Sequence, residues 1–265
     1  MRAERFVISD RSWQILEPLL PGSSRSRGVT AKDNRLFLEA VLWKVRVGGP
    51  WRDLPPGFGV WNSVFRRFRR WAEADVFQRI FDVISGEPDF EYMLVDGTII
   101  SAHQKASGAK GGLENQAIGR SKGGLTTKVL ALTDALGNLV RFALLPGQRG
   151  EITGVPELIE GLTFNAFMAP SHGLKANHCR ATDKAFDANH LRAELHRREA
   201  DAVIPAKRNR ILHIPHDAEA YKWRHLIENY FSKIKEFRGV NTRYDKTDTS
   251  YRATWNIAAT MIALR

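Results

Sequence analysis

A single cysteine, Cys179, stands among 265 residues, so no internal disulfide and no multi-cysteine zinc site can form. No apolar run approaches the roughly 18 residues that a membrane span requires. The stretch 1–6 places Arg2, Glu4 and Arg5 where a signal peptide would need an apolar core, so a cytoplasmic, reducing location is expected. Histidine offers little: the one close pair, His213 and His216, spans Ile-Pro and reads as a loop rather than a metal site. Gly119 and Gly124 have the glycine spacing of a phosphate-binding loop, but Leu125-Thr126 follows where Lys and Ser or Thr are needed. Acidic side chains are also short. Twenty-nine Asp and Glu against 40 Lys and Arg leave a formal net charge of +11, which selects a polyanionic partner, most simply nucleic acid. Ribosomal or membrane-surface binding would give the same total.

The first ninety residues read as helices. Asp10 is a plausible N-cap for a short one carrying Trp13, Leu16, Leu19 and Leu20, stopped by Pro21-Gly22. A polar, basic linker over 23–30 leads to a helix over 33–47, with Leu36, Phe37, Ala40, Val41 and Val45 at helical spacing. Two prolines and Trp51 make 48–57 a rigid turn. The next helix, 60–74, sets Val64, Phe65, Phe68 and Trp71 against Arg66, Arg67, Arg69 and Arg70, and a last one covers 76–84. Short helices with an arginine row resemble a helix-turn-helix DNA-binding module. The plain alternative is a small helical domain whose arginines are solvated or touch another subunit. The domain boundary is expected at 88, giving a helical DNA-binding domain over 1–88 and a second domain over 89–265.

Beyond Pro88 the pattern turns extended. Tyr92-Met93-Leu94-Val95 reads as a buried strand ending on Asp96-Gly97. A mobile basic loop is expected over 107–124, and a hairpin over 127–145 around a turn at 134–138. A helix over 151–162, an irregular stretch 163–177, a strand ending at Asp183, a helix over 189–199 and a strand over 202–205 follow. Two helices, 221–235 and 249–265, complete the order. Three strands followed by alternating helices and strands predict an α/β domain: a mixed sheet with an antiparallel edge, flanked by helices.

The helix 221–235 has no Gly or Pro to break it. At about 100° per residue, Tyr221, Arg224, Glu228 and Lys235 share one stripe, while Leu226, Ile227, Tyr230, Ile234 and Phe237 form another. Taken alone, the polar stripe reads more simply as a solvated face with two salt bridges. If the helix packs across neighbouring strands, however, Asp96, Asp183 and Glu228 converge. Three carboxylates from distant segments can hold two divalent cations roughly 3.5–4 Å apart for in-line phosphoryl displacement, and oxygen-only ligands favour Mg²⁺ or Mn²⁺.

At these residues the chain resembles the DDE transposases of bacterial insertion sequences, specifically insertion-sequence family five. The resemblance runs through Pro50-Trp51-Arg52-Asp53-Leu54-Pro55, Val95-Asp96-Gly97-Thr98, Gly119 with Lys128, Asp183-Lys184-Ala185-Phe186-Asp187 and Thr242-Arg243-Tyr244. Its most specific part is the spacing of Tyr221, Arg224, Glu228 and Lys235. The resemblance implies a ribonuclease-H-like fold and a metal-binding triad of Asp96, Asp183 and Glu228. It further implies cleavage at the element's terminal inverted repeats and strand transfer into target DNA. Arg224 and Lys235 would hold phosphates, Tyr221 would touch the DNA end, and a homodimer is expected on DNA. Two alternatives stay open: a plain nuclease with the same triad, and a catalytically inactive copy acting as a repressor. The four residues before Asp183 are polar, and Arg180 there is expected either at a sheet edge or on a weakened strand.

Overall fold

The computed structural model describes residues 7–22, 31–110, 112, 116–170, 186–207, 210–212 and 214–265. The linker 23–30, Cys179, Arg180, Asp183 and His213 lie outside the described residues. Helices α1 (Asp10–Leu16), α2 (Asn34–Val47), α3 (Trp61–Glu73) and α4 (Val76–Ser85) come first. Strands β1 (Tyr92–Ala102), β2 (Gly119–Ser121), β3 (Gly124–Thr133) and β4 (Leu139–Pro146) follow. Helix α5 (Val155–Ile159), strand β5 (Ala166–Met168), helix α6 (Asn189–Arg197) and strand β6 (Asp201–Val203) alternate after them. Last come α7 (Ala218–Tyr221), α8 (His225–Lys235), α9 (Arg238–Asn241) and α10 (Asp248–Ala263).

These elements form two compact units, Met1–Gly86 with Ile234–Arg265, and Glu87–Lys233. Helix α10, in the C-terminal segment, packs with α2, α3 and α4. The reason is visible in its burial. Tyr251, Ala253, Trp255, Ile257 and Ala259 are all buried, and a helix apolar on several sides must be surrounded. In the same unit α2 starts on Asp33, whose carboxylate accepts the Leu36 N–H at 2.8 Å, and stops at Gly48 with φ +71°. Phe37, Phe68, Trp71 and Phe77 pack as a tilted and edge-on aromatic set with centroids 4.8–5.8 Å apart. Glu39 is buried in mid-helix and satisfied there by the N–H groups of Val7, at 2.8 Å, and Ile8, at 2.7 Å.

The second unit holds the sheet. β1 and β3 pair antiparallel from Leu94↔Thr133 to Ser101↔Thr126, and β3 pairs antiparallel with β4 on its other side. β5 and then β6 extend the sheet parallel to β1. Setting aside the short β2, the spatial order is third, second, first, fourth, fifth: an antiparallel meander continued by two parallel strands. That is the ribonuclease-H-like topology. The expected irregular stretch 163–177 therefore contains a strand after all. With only Ala166, Phe167 and Met168 paired, it is too short to show a period. One face of the sheet carries the core, where Met93, Val95, Leu130, Leu132 and Phe167 meet Val155, Leu158, Leu191 and Leu195.

Asp187 organises the far edge of this unit. It is buried and receives Arg192 Nε at 2.8 Å, Arg210 Nη1 at 2.9 Å and the Lys207 N–H at 2.8 Å. Burial alone would raise its pKa; the Lys207 N–H and the two guanidiniums outweigh that and hold it below the usual carboxylate range. A carboxyl whose folded pKa lies below its unfolded value of about 3.9 stabilises above that pH and loses the contribution as pH falls through the folded value. Asp187→Asn is accordingly expected to lower the melting temperature at pH 7 and to flatten its decline below about pH 4. Parallel declines for parent and variant on acidification would reject this account.

Candidate functional site

Asp96 lies midway along β1, opposite Ala131 of β3. Because strand side chains alternate, Met93 and Val95 enter the core and Asp96 faces the other side of the sheet. Its side chain is only 7% exposed, and Oδ1 accepts the Gly97 N–H at 2.8 Å. Burial pushes its pKa up to about 6, the Arg224 guanidinium and the Gly97 N–H oppose the rise, and the Glu228 charge adds to it.

Arg224 and Glu228 arrive from the segment 218–235. This is not one regular helix: a 3₁₀ turn, Lys222–Arg224, separates α7 from α8. The sequence carries no Gly or Pro to announce it. The polar stripe nevertheless keeps its partners, since Arg224 Nη2 lies 2.6 Å from Glu228 Oε1 and 3.3 Å from Asp96 Oδ2. One guanidinium thus bridges carboxylates from β1 and α8. Arg224 Nε is buried with no hydrogen-bond acceptor among the described residues. The start of α8 is seated by the β3–β4 turn, where a Cβ on Gly137 (φ +80°) would come within 3.1 Å of Leu226 Cβ. Ile227 and Tyr230, on the apolar stripe, are buried as expected.

Tyr221 is half-buried and edge-on to His216, with centroids 5.6 Å apart. Burial raises its pKa; the charges of Asp96 and Glu228 add to that, while Arg224 opposes it. The phenol therefore stays protonated at neutral pH and is a donor. Lys235, at the end of α8, is half-buried, and burial lowers its pKa. Asp183 is outside the described residues. Among those described, no three His, Cys, Asp or Glu side chains stand together as a metal site, and Asp96 with Glu228 forms a pair.

The arginine row on α3 divides. Arg66, Arg69 and Arg70 are exposed, Arg69 pairing with Glu73 at 2.8 Å. Arg67 turns inward, its Cζ 4.2 Å from the Phe37 ring centroid and 4.7 Å from that of Trp71, and its Nη2 donates to Asn34 Oδ1. Its pKa is lowered by burial and by Arg70. Arg67→Ala is expected to destabilise the protein by about 1–3 kcal/mol, through lost cation–π and stem packing. Arg70→Ala should change the melting temperature little; equal losses for the two variants in thermal melts would contradict the placement.

Sequence reasoning missed the support behind Asp96. On the opposite face, Lys128 and Glu151 form a buried pair, Nζ to Oε1 3.5 Å, and the Glu151 carboxylate is pressed against Gly97. Glu151 reads in sequence as the acidic first residue of a helix, and nothing local reports a partner on β3.

The donor set at Asp96 and Glu228 is oxygen-only and already converges on a cation, which is the chemistry a hard divalent ion requires. Residues 88–263 match the family described as "Transposase DDE domain". The chain belongs to the DDE transposases. Residues 8–81 match a second family, described as "Putative transposase of IS4/5 family". Among relatives, the transposase is 34% identical over 142 residues to the Brucella ovis "Putative transposase for insertion sequence element IS6501", spanning 53% of this chain and 100% of that protein. It is 38% identical over 117 residues to the uncharacterized protein y4sN of Sinorhizobium fredii, spanning 44% of this chain and 86% of that one. A solved structure, of a pre-cleavage Mos1 transpososome, matches 95% of this chain and 84% of its own at 11% identity and a TM-score of 0.26, a likeness that fixes nothing further. Enzymes with this domain use divalent metal ions and act on DNA. Among the described residues no helix is long and apolar enough to cross a membrane.

Proposed function

We propose that Asp96, Asp183 and Glu228 hold two Mg²⁺ or Mn²⁺ ions at the ends of the insertion sequence, and that cleavage and strand transfer occur there. The observation that supports this most is the convergence of Asp96 and Glu228 on Arg224, a cation held by two carboxylates from distant segments. Bound there, divalent ions supply polarisation of the phosphodiester and ionisation of the attacking water or DNA 3′-hydroxyl. The protein's own groups position the strand. Arg224 exchanges its carboxylate contacts for a forked grip on a phosphate, Lys235 adds a point charge, and Tyr221 donates its hydroxyl near the cleaved end. Arg66, Arg69 and Arg70 hold phosphates of the terminal inverted repeat, while Arg67 fixes the helix that presents them. Residues 1–88 supply the DNA-binding helices and the stretch 89–265 supplies the catalytic carboxylates, although its last segment, Ile234–Arg265, packs with the first unit, and two copies act together because an element has two ends.

The test is Mg²⁺- or Mn²⁺-dependent nicking and joining of duplexes carrying the element's ends. Asp183→Asn and Glu228→Gln are expected to lose at least about a thousandfold in cleavage, as when a metal site is dismantled, while still binding the ends. Full cleavage by the Asp183 variant would remove it from the ligand set. For Arg224→Ala, the log–log salt dependence of binding should become shallower by about 0.9, the value of one phosphate contact. An unchanged slope would exclude that contact.

A further inference from the structure

Seven tryptophans are spread along the chain, and six of them are buried or half-buried. Trp223 is the exception, with 55% of its surface exposed. A single apolar side chain in water is ordinary on a protein surface, but the place and setting of this one are not. It belongs to the 3₁₀ turn Lys222–Arg224, immediately before the arginine that bridges Asp96 and Glu228. Consecutive Cα atoms are about 3.8 Å apart, and successive residues of a 3₁₀ turn diverge by about 120°. The indole therefore stands beside the carboxylate site, about a third of a turn away from the guanidinium.

Its surroundings hold the ring in a set orientation. Asp217 starts the segment, its carboxylate accepting the Glu219 and Ala220 N–H groups at 2.9 Å, and the Tyr221 N–H donates to the Asp217 carbonyl at 3.1 Å. Downstream, the exposed His225 stacks on Trp223, with centroids 6.1 Å apart and planes 29° from parallel. The imidazole is itself tied down. Its Nδ1 lies 2.8 Å from the Lys222 carbonyl, and since a carbonyl oxygen only accepts, Nδ1 carries the hydrogen and donates it. The Lys222 side chain is engaged with Glu219, Nζ to Oε2 2.7 Å. Among the described residues no ring other than His225 lies against Trp223. The result is a fixed aromatic surface open to solvent.

We propose that Trp223, backed by His225, is a binding site for an unpaired nucleobase, filled by a base adjoining the scissile phosphate. This rests on the reading of Asp96 and Glu228 as the cleavage site, and adds what that site asks of the DNA. Asp96 is nearly buried on β1, so the phosphate must come down to the sheet. A strand drawn out of the duplex to reach it gives up stacking on its neighbours. An aromatic ring replaces that stacking, and because every base has a π-face, the site tolerates any base. Inside a duplex both faces of a base are already covered, hence the ring favours the strand only once it is opened.

The test is a protein-by-DNA cycle with the full chain, bound in Ca²⁺ to element-end duplexes and followed by fluorescence anisotropy. The duplexes are left unpaired over about three nucleotides on either side of the scissile bond, so that no arm includes the cost of opening base pairs. Trp223→Ala should weaken binding about 5- to 150-fold, the range for removing the aromatic partner of one base, with an unchanged melting temperature. Trp223→Phe keeps a ring and should recover most of the affinity. Abasic sugars are then placed one at a time through the unpaired stretch. At the nucleotide whose base the site holds, parent and Trp223→Ala should bind equally, because neither has a stack to lose; elsewhere the difference should persist. A loss that no abasic position erases, or no loss at all, would overturn the proposal. So would a phenylalanine variant as weak as the alanine one, which would assign the contact to the indole N–H and a phosphate. Because the cycle is read from binding alone, the carboxylate reading fails separately, through cleavage by the Asp183 or Glu228 variants.

Discussion

Asp96→Asn is expected to abolish metal-dependent cleavage and, in the same protein without metal, to raise stability above pH 6. Both effects follow from one environment. The carboxylate is buried on β1, and burial with the nearby Glu228 charge lifts its pKa to about 6 against opposition from Arg224 and Gly97. A carboxyl whose folded pKa exceeds its unfolded value binds more protons in the folded state between those two values. Stability therefore falls as pH rises from about 4 to about 6, and the full penalty remains above that. At about 1.4 kcal/mol per tenfold, the gap between about 6 and the ordinary value near 3.8 corresponds to about 3 kcal/mol as an upper figure. Asn keeps the shape, cannot ionise and escapes the penalty, while it loses the charge that a divalent ion needs. Thermal melts of parent and variant between pH 4 and 8, with chelator present, should converge at the acid end and separate above pH 6, the variant the more stable. Adding Mn²⁺ should stabilise the parent alone. A variant that melts with or below the parent across the range, or that cleaves at more than about a thousandth of its rate, would detach Asp96 from the proposed role.

Much of this site is legible in the sequence because its signals are local. The run Met93-Leu94-Val95 before Asp96 is apolar enough to be a buried strand, and β1 covers it. Gly137 marks the hairpin turn, and it takes a positive φ of 80° there. The spacing of Arg224 and Glu228 brings them together even though a 3₁₀ turn breaks the helix between α7 and α8, because a separation of four residues survives a small change of pitch immediately before it. What escapes is either very short or long-range. β5 has three paired residues. Helix α10 reads as the end of the second domain by chain order, whereas its enclosed faces pack with α2, α3 and α4, and proximity in sequence says nothing about that choice. Arg67 belongs by period to a solvated row, but the facing rings of Phe37 and Trp71 come from a pairing of helices that periodicity cannot supply.

The largest structural cost is expected at the residue beside Asp96. In sequence, Gly97 is an unremarkable strand glycine; in the fold its missing side chain is where Glu151 lies. A Cβ there would fall 2.7 Å from Glu151 Oε1 and 2.8 Å from Cδ, closer than real contacts allow. A flexible carboxylate would normally step aside at little cost. Glu151 has no such freedom, since its side chain is 2% exposed and pairs with Lys128, itself 4% exposed and tied to the Arg149 carbonyl at 2.7 Å. Gly97→Ala must therefore displace a buried ion pair or bend β1, and either is expected to cost about 3–5 kcal/mol, the range for disrupting such a pair. Because the Gly97 N–H holds Asp96 Oδ1, the same shift should slow cleavage beyond what the lost stability explains. The mechanism is separable from a general intolerance of alanine in a strand by a double-mutant cycle with Glu151→Ala. Shortening Glu151 vacates the space that the new methyl needs, so the two changes together should cost at least about 1–2 kcal/mol less than their sum in denaturant unfolding. Strict additivity would mean that Gly97 answers to some other contact, and that the buried pair behind Asp96 has no part in fixing it.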